Sequence, residues 1–143
     1  MAQNNVETLN DLLRGEISAV ETYRQAIERL SASPNRVELE QCKRSHELRV
    51  SQLREQVVRL GGQPVQGSGA WGTFAKLVEG SAKLFGEKAA ISALEEGEDH
   101  GLKMYRDDVP KLDSVTRVLV ERDLLPEQER THSALSALKH TFH

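Results

Sequence analysis

The sequence has one cysteine, no long apolar segment and few aromatic residues, which make up 4% of the chain. One cysteine cannot form an internal disulfide, so this is not a disulfide-stabilised domain, and Cys42 fits a reducing compartment. Because no run of about 18 apolar residues occurs, we expect no membrane span. The first residues also lack the basic and apolar parts of a secretory signal. These absences lead us to expect a cytoplasmic protein.

A strong charge of one sign is also missing, since the formal net charge is −3 and both signs are interspersed. Without a basic surface, the composition predicts neither nucleic acid nor membrane as a partner. One apolar stretch, Trp71 to Phe85, belongs to the glycine-rich middle of the chain. We interpret it as intramolecular packing, as a patch that seals a homo-oligomer, most simply a dimer, or as an adaptor surface for another protein.

The abundant residues favour helices. Leu, Ala, Glu, Arg and Gln dominate the 143 residues, and all are good helix formers. The length suits a single domain over residues 1–143. We place helix N-caps at Asn5 and Ser33, with Pro34 as a first helical residue, and expect Pro126 to interrupt the last helix. The predicted helices cover about residues 5–30, 34–60, 86–108 and 113–139.

The connections between these helices predict the topology. Helices one and two are joined by a few residues, as are helices three and four, so each pair should form an antiparallel hairpin. The connection after Leu60 is longer, and roughly twelve extended residues at ~3.3 Å each can span about 40 Å. That distance matches the length of a helix of about 25 residues. We therefore predict an all-α four-helix bundle in which a long crossover joins the two hairpins.

A glutamate and a tyrosine recur at matching places in the first and third helices. Glu16 and Tyr23 correspond to Glu98 and Tyr105, and each glutamate follows a glycine while each tyrosine precedes an arginine. Each glutamate lies within a stripe of mainly apolar residues at steps of three and four, so it should face the core. The stripes contain Leu9, Leu12, Ala19, Ala26 and Leu30 in the first helix and Leu84, Glu87, Ile91, Leu94 and Gly101 in the third.

A histidine takes the corresponding place in the second and fourth helices. His46 lies near the centre of the second stripe, and in the fourth helix Glu129 and His132 form a Glu-x-x-His pair, one turn apart on one face. The remaining stripe residues are Leu39, Cys42, Leu53 and Leu60 in the second helix and Leu125 and Leu135 in the fourth. The chain therefore reads as two copies of one helical hairpin.

These ionisable residues predict a metal site, because a buried carboxylate is costly unless it is paired, protonated or metal-bound. Di-iron and di-manganese carboxylate proteins take a glutamate from each of two helices and a Glu-x-x-His from each of the other two. The candidate metal ligands are Glu16, His46, Glu98, Glu129 and His132. Oxygen and imidazole ligands suit iron or manganese, and zinc stays open. Lys43 stands where the pattern requires the sixth ligand, a carboxylate, so the predicted site is incomplete there.

Several segments resemble known proteins. Residues Leu13–Tyr23 resemble the first-helix motif of bacterioferritins, in which the glutamate binds iron and the tyrosine lies close by. Residues Asn5–Leu12, Leu60–Pro64 and Glu96–Tyr105 resemble more closely a short bacterial ferritin-like family that is described only as a domain of unknown function. The resemblance covers nearly the whole chain. It implies a ferritin-like fold in which the five candidate ligands above take the ligand positions.

Two hypotheses of function follow. The first is a ferritin-like protein with an incomplete di-iron or other di-metal site, which would oxidise ferrous iron or react with oxygen or peroxide. The second is a metal-free structural or stress-associated bundle, in which Lys43 forms salt bridges with the buried glutamates. Whether the chain is an enzyme stays open between them.

Overall fold

The computed structural model describes residues 2–69 and 86–142, and in these two ranges the chain is all-helical, as predicted. The elements are α1 (Ala2–Arg29), α2 (Arg36–Arg59), α3 (Glu87–Asp108), a 3₁₀ turn (Val109–Lys111), α4 (Ser114–Leu119), a π turn (Val120–Leu124) and α5 (Leu125–His140). Among these helices, none carries an apolar run of the length that a membrane span requires. The stretch Trp71–Phe85 lies outside the described residues, so the dimer patch and the adaptor surface stay predictions.

The first helix begins earlier than the sequence suggests. α1 starts at Ala2, so Asn5 lies inside the helix and the prediction that it is the N-cap is wrong. Its amide nitrogen donates to Asp113 Oδ2 at 2.5 Å, and its amide oxygen accepts the Asp113 N–H at 3.1 Å. Asp113 is itself the N-cap of α4, where it accepts the N–H of Thr116 at 2.9 Å. Asn5 therefore ties α1 to the start of the last helices.

The second helix begins later than predicted. α2 starts at Arg36, with Asn35 at the cap position. Ser33 Oγ accepts the N–H of Asn35 at 3.0 Å, so Ser33 stabilises the turn between the two helices. Pro34 lies in that turn and not in the first turn of α2, which corrects the predicted start by two residues.

α4, the π turn and α5 form one continuous helical rod. In a regular α-helix, residues four apart drift by about 40° around the axis. The π turn is wound more loosely, so Thr116, Val120, Leu124 and Gln128 all stay buried although they are spaced four apart. The π turn lies directly before Leu125-Pro126, where the missing proline N–H interrupts the α-helical hydrogen bonding. The predicted interruption is thus a local change of winding that sets which face of α5 points inward.

The helices pack around two apolar clusters. α1 packs along α2, α3 packs along α5, and α1 and α2 also contact α3 and α5 respectively. The first cluster includes Leu9, Leu13, Val50, Leu53, Val57, Val109 and Leu124, and the second includes Tyr23, Ala26, Leu39, Cys42, Ala90, Leu94 and Leu135. α1 and the last rod run from the first cluster to the second, whereas α2 and α3 run from the second to the first. α2 and α3 therefore point in the same direction.

Candidate functional site

A layer of polar side chains lies between the two apolar clusters. We call it the central cluster, and none of its members is more than 3% exposed. Its members are Glu16, Tyr23, His46, Arg49, Glu98, Tyr105, Gln128 and Thr131. Because both charged and neutral groups are removed from water here, each one needs a partner inside the protein.

The repeated glutamate and tyrosine form crossed pairs. The Tyr23 hydroxyl of α1 donates to Glu98 Oε2 of α3 at 2.5 Å. The Tyr105 hydroxyl of α3 donates to Glu16 Oε2 of α1, also at 2.5 Å. Each tyrosine therefore serves the glutamate of the other helix, and the sequence repeat becomes an approximate two-fold arrangement. This bears out the inward direction that the two stripes predicted for these four residues.

His46 lies between the two carboxylates. Its Nδ1–H donates to Glu16 Oε1 at 2.5 Å, and its Nε2–H donates to Glu98 Oε2 at 2.8 Å. Ionised carboxylates only accept hydrogen bonds, so both ring nitrogens carry a proton and the ring is an imidazolium. Tyr23 stacks on this ring, with the ring centroids 5.3 Å apart. His46 thus bridges α1 and α3 as a cation.

Arg49 supplies the second positive charge, and it is fully buried. Its guanidinium Nη1 lies 3.2 Å from Glu16 Oε2, and the same group donates to Gln128 Oε1. Nη2 donates to Thr131 Oγ1 at 3.0 Å. The planar guanidinium therefore joins α2 to α1 and to α5 at once.

Gln128 and Thr131 complete the surroundings of the second glutamate. Gln128 Nε2 donates to Glu98 Oε1 at 3.0 Å, and the Thr131 hydroxyl donates to the same oxygen at 2.8 Å. Both side chains are neutral. In the last rod, the inward-facing side chains at this level are therefore an amide and a hydroxyl instead of a carboxylate and an imidazole.

The charges of the central cluster stabilise one another. Burial by itself would raise the pKa of Glu16, but the positive charges of Arg49 and His46 outweigh it and the pKa lies below its usual value. Burial would likewise raise the pKa of Glu98, but His46 and the hydrogen bond from Tyr23 bring it down to about 2. Burial and Arg49 would lower the pKa of His46, but the two glutamates raise it. Two anions thus face two cations, and the cluster is close to neutral.

This network leaves no free reactive group. Among the described residues, the buried side-chain atoms without a hydrogen-bond partner are Gln25 Oε1 and Asp108 Oδ2, and neither belongs to the central cluster. Nearby Cys42 is fully buried, and burial together with the charge of Glu98 raises the pKa of its thiol to about 12. The thiol therefore stays protonated and is a poor nucleophile.

Two of the five predicted ligands lie outside the central cluster. The Glu129 side chain is 52% exposed and its carboxylate lies 3.8 Å from Arg106. His132 is half-buried on the outer side of α5, where its ring contacts Asp99. Glu16, His46 and Glu98 are brought together as expected. Lys43 forms no ion pair with either of these glutamates in the described part of the chain, because Arg49, which the sequence analysis missed, takes that role.

The internal repeat of the sequence could have identified Arg49, Gln128 and Thr131, the members of the central cluster that the sequence analysis missed. His46 follows Glu16 by 30 residues, and Gln128 follows Glu98 by the same 30. Thr131 follows Glu98 by 33 residues, as Arg49 follows Glu16. At the positions of the two Glu-x-x-His pairs, the chain therefore has His46-x-x-Arg49 and Gln128-x-x-Thr131.

A narrow groove between α1 and α3 leads to the central cluster and has a volume of about 40 Å³. Glycines at Gly15, Gly97 and Gly101 line it. A Cβ atom at Gly101 would lie 2.9 Å from Gln128 Nε2, closer than such contacts allow. Glycine at this position therefore lets the Gln128 amide reach Glu98.

The family model described as a domain of unknown function (DUF2383) matches residues 4–110. The chain belongs to this family. No curated protein and no solved structure gives a significant match. The resemblance to a family of unknown function is thereby confirmed, whereas the ferritin-like relationship stays a prediction.

The DUF2383 match covers the residues that carry charge in the central cluster. Glu16, His46, Arg49 and Glu98 lie within the matched range, which ends before α4 begins. The neutral partners in the last rod, Gln128 and Thr131, lie beyond it. The two cations and two anions are therefore part of the DUF2383 region of this chain.

Proposed function

We propose that this member of DUF2383 is a ferritin-like four-helix bundle with a structural role, in which two buried cations of the chain replace a di-metal centre. The two predicted hairpins and the shared direction of α2 and α3 support the fold, since a connection between two consecutive helices that run in the same direction must cross the length of the bundle. The crossover itself falls largely on residues outside the described ranges.

The position of Arg49 carries the proposal. Its guanidinium lies 3.2 Å from Glu16 and bonds two side chains of the last rod, while His46 bridges Glu16 and Glu98. The two carboxylates are therefore already balanced by cations of the chain. A guanidinium stays protonated under all ordinary conditions and cannot act as a ligand. The surroundings of Glu98 are likewise completed by an amide and a hydroxyl.

These side chains do not fit the di-iron hypothesis, although three of its five candidate ligands converge. A di-metal centre of this class needs four carboxylates and two imidazoles, and the central cluster offers two carboxylates and one imidazole. Binding two divalent cations would add charge to a cluster that is already near neutrality and would require Arg49 to leave. We therefore derive no redox chemistry from the central cluster.

Elemental analysis tests the proposal. Protein from iron-replete cells, purified without chelator, is measured for iron, manganese and zinc in the wild type, in Asp99→Asn and in His46→Gln. Asp99→Asn is the control, because it removes only the outer contact of His132 and leaves the central cluster intact. We expect well below one metal ion per chain in Asp99→Asn. One or more iron or manganese ions per chain that persist in Asp99→Asn and disappear in His46→Gln would overturn the proposal.

A further inference from the structure

A second group of metal-ligating side chains lies on the outer side of the α3–α5 pair. Glu95 and Asp99 are one turn apart on α3, and His132 faces them from α5. One potential ligand atom from each residue lies within 4.8 Å of the others. The buried contact between α3 and α5, which includes Leu94 and Leu135, fixes the distance between the two helices.

We propose that Glu95, Asp99 and His132 form a surface site for one divalent cation of the zinc class. The ligands are one imidazole nitrogen and two carboxylate oxygens, and water takes the remaining position. The site is separate from the central cluster, because none of its three side chains contacts Glu16 or Glu98 in the described part of the chain.

Binding of a zinc ion would require little movement of the three side chains. Ligands about 2.0–2.2 Å from a tetrahedral zinc ion lie roughly 3.5 Å from one another. Drawing the three atoms together from a maximum separation of 4.8 Å therefore takes about 1 Å of side-chain adjustment. His132 and Asp99 already contact each other directly. The Asp99 side chain is 58% exposed, so it can change rotamer without disturbing the core.

The neighbours of Glu95 support the site more than they compete for it. Ser136 Oγ donates to Glu95 Oε2 at 3.0 Å and orients the carboxylate, as groups behind a metal ligand commonly do. Lys139 lies 3.2 Å from Glu95 Oε1, but its side chain is 44% exposed. The exposed Lys139 ammonium can therefore turn towards solvent when a cation binds Glu95.

The donor set selects the class of cation. Mg²⁺ and Ca²⁺ prefer sites made of oxygen atoms alone, whereas an imidazole favours zinc, copper or nickel. The group of candidate ligand atoms contains no thiolate, and the single cysteine, Cys42, is buried among apolar side chains. We therefore expect binding of Zn²⁺, and no comparable binding of Mg²⁺.

Calorimetric titration of the metal-stripped protein with ZnCl₂ tests the site. We expect one zinc ion per chain in the wild type, with affinity at least tenfold lower in His132→Gln and in Asp99→Asn. The matched controls are His140→Gln on α5 and Asp107→Asn on α3, which are exposed and lie outside the triad. Both controls should bind zinc like the wild type, and MgCl₂ should give no saturable heat.

Three results would overturn the proposal: no saturable zinc binding to the wild type, unchanged zinc affinity in both triad variants, or loss of binding in the His140→Gln control. Asp99 is exposed and half-buried His132 lies outside both apolar clusters, so their substitution should leave the fold intact, and circular dichroism of each variant checks this. The outcome is independent of the central cluster, because zinc at the triad depends on Asp99 whereas metal at the cluster would depend on His46.

Discussion

Replacing Arg49 by methionine should strongly destabilise the protein. The substitution keeps much of the side-chain volume but removes the buried guanidinium, its ion pair with Glu16 and its hydrogen bonds to Gln128 and Thr131. Removing one partner of a buried ion pair leaves an uncompensated charge and typically costs about 3–5 kcal/mol. In a chain of 143 residues, that loss corresponds to a decrease of about 10–17 °C in the melting temperature.

Urea denaturation at neutral pH, followed by circular dichroism, measures this loss as a change in the unfolding free energy. Arg54→Met is the matched control, because Arg54 is an exposed arginine on the same helix and should change the stability by less than about 0.5 kcal/mol. The double variant Arg49→Met/Glu16→Gln should be more stable than Arg49→Met alone, since it removes both members of the ion pair.

Two results would refute this reasoning. A loss below about 1 kcal/mol in Arg49→Met would mean that the guanidinium does not balance a buried carboxylate. No gain of stability on adding Glu16→Gln to Arg49→Met would mean that Glu16 is not the anion left without a partner. Either result would also weaken the proposal that the chain's own cations replace a metal centre.

Three further outcomes are expected. Tyr23→Phe and Tyr105→Phe should each lower the unfolding free energy by about 1.5–3 kcal/mol, because each removes a hydrogen bond to a buried carboxylate; an unchanged urea midpoint in either variant would contradict the crossed pairs. Because folding raises the pKa of His46, its protonation stabilises the folded state fully at pH values below the unfolded pKa of 6.5, and this stabilisation is lost as the pH rises through the folded pKa. Urea titrations at several pH values should show this loss of unfolding free energy in the wild type and not in His46→Gln. Gly101→Ala should cost about 1–2 kcal/mol by displacing the Gln128 amide, whereas a gain would show that the amide moves freely.

The inward direction of Glu16 and Glu98 could be predicted because both lie in regular α-helices. In such a helix, apolar residues at steps of three and four mark one face, and the two glutamates fall on it. The same reasoning failed for Glu129 and His132. The predicted stripe ran through Leu125, Glu129, His132 and Leu135, whereas the buried face of α5 carries Gln128, Thr131 and Leu135. Both stripes share Leu135 and use steps of three or four, so periodicity alone could not choose between them.

Arg49 was missed for a different reason. An arginine is rarely buried, so its place one turn after His46 did not by itself suggest an inward direction. Lys43 was considered because it occupied an expected ligand position. The structure shows that the cation comes from the other side of His46, where the guanidinium reaches both Glu16 and the last rod.

The sequence alone determined that this chain is helical and that a repeated glutamate–tyrosine pair lies at the centre of two of its helices, because both properties follow from local composition and from the periodicity of the α-helix. Only the tertiary structure decided what surrounds the glutamates. The rotation of the last rod and the burial of Arg49 depend on how four helices fit together, and a buried charge is tolerated only where partners from other helices reach it. His132 therefore lies beside Asp99 at the surface, while two cations of the chain occupy the interior.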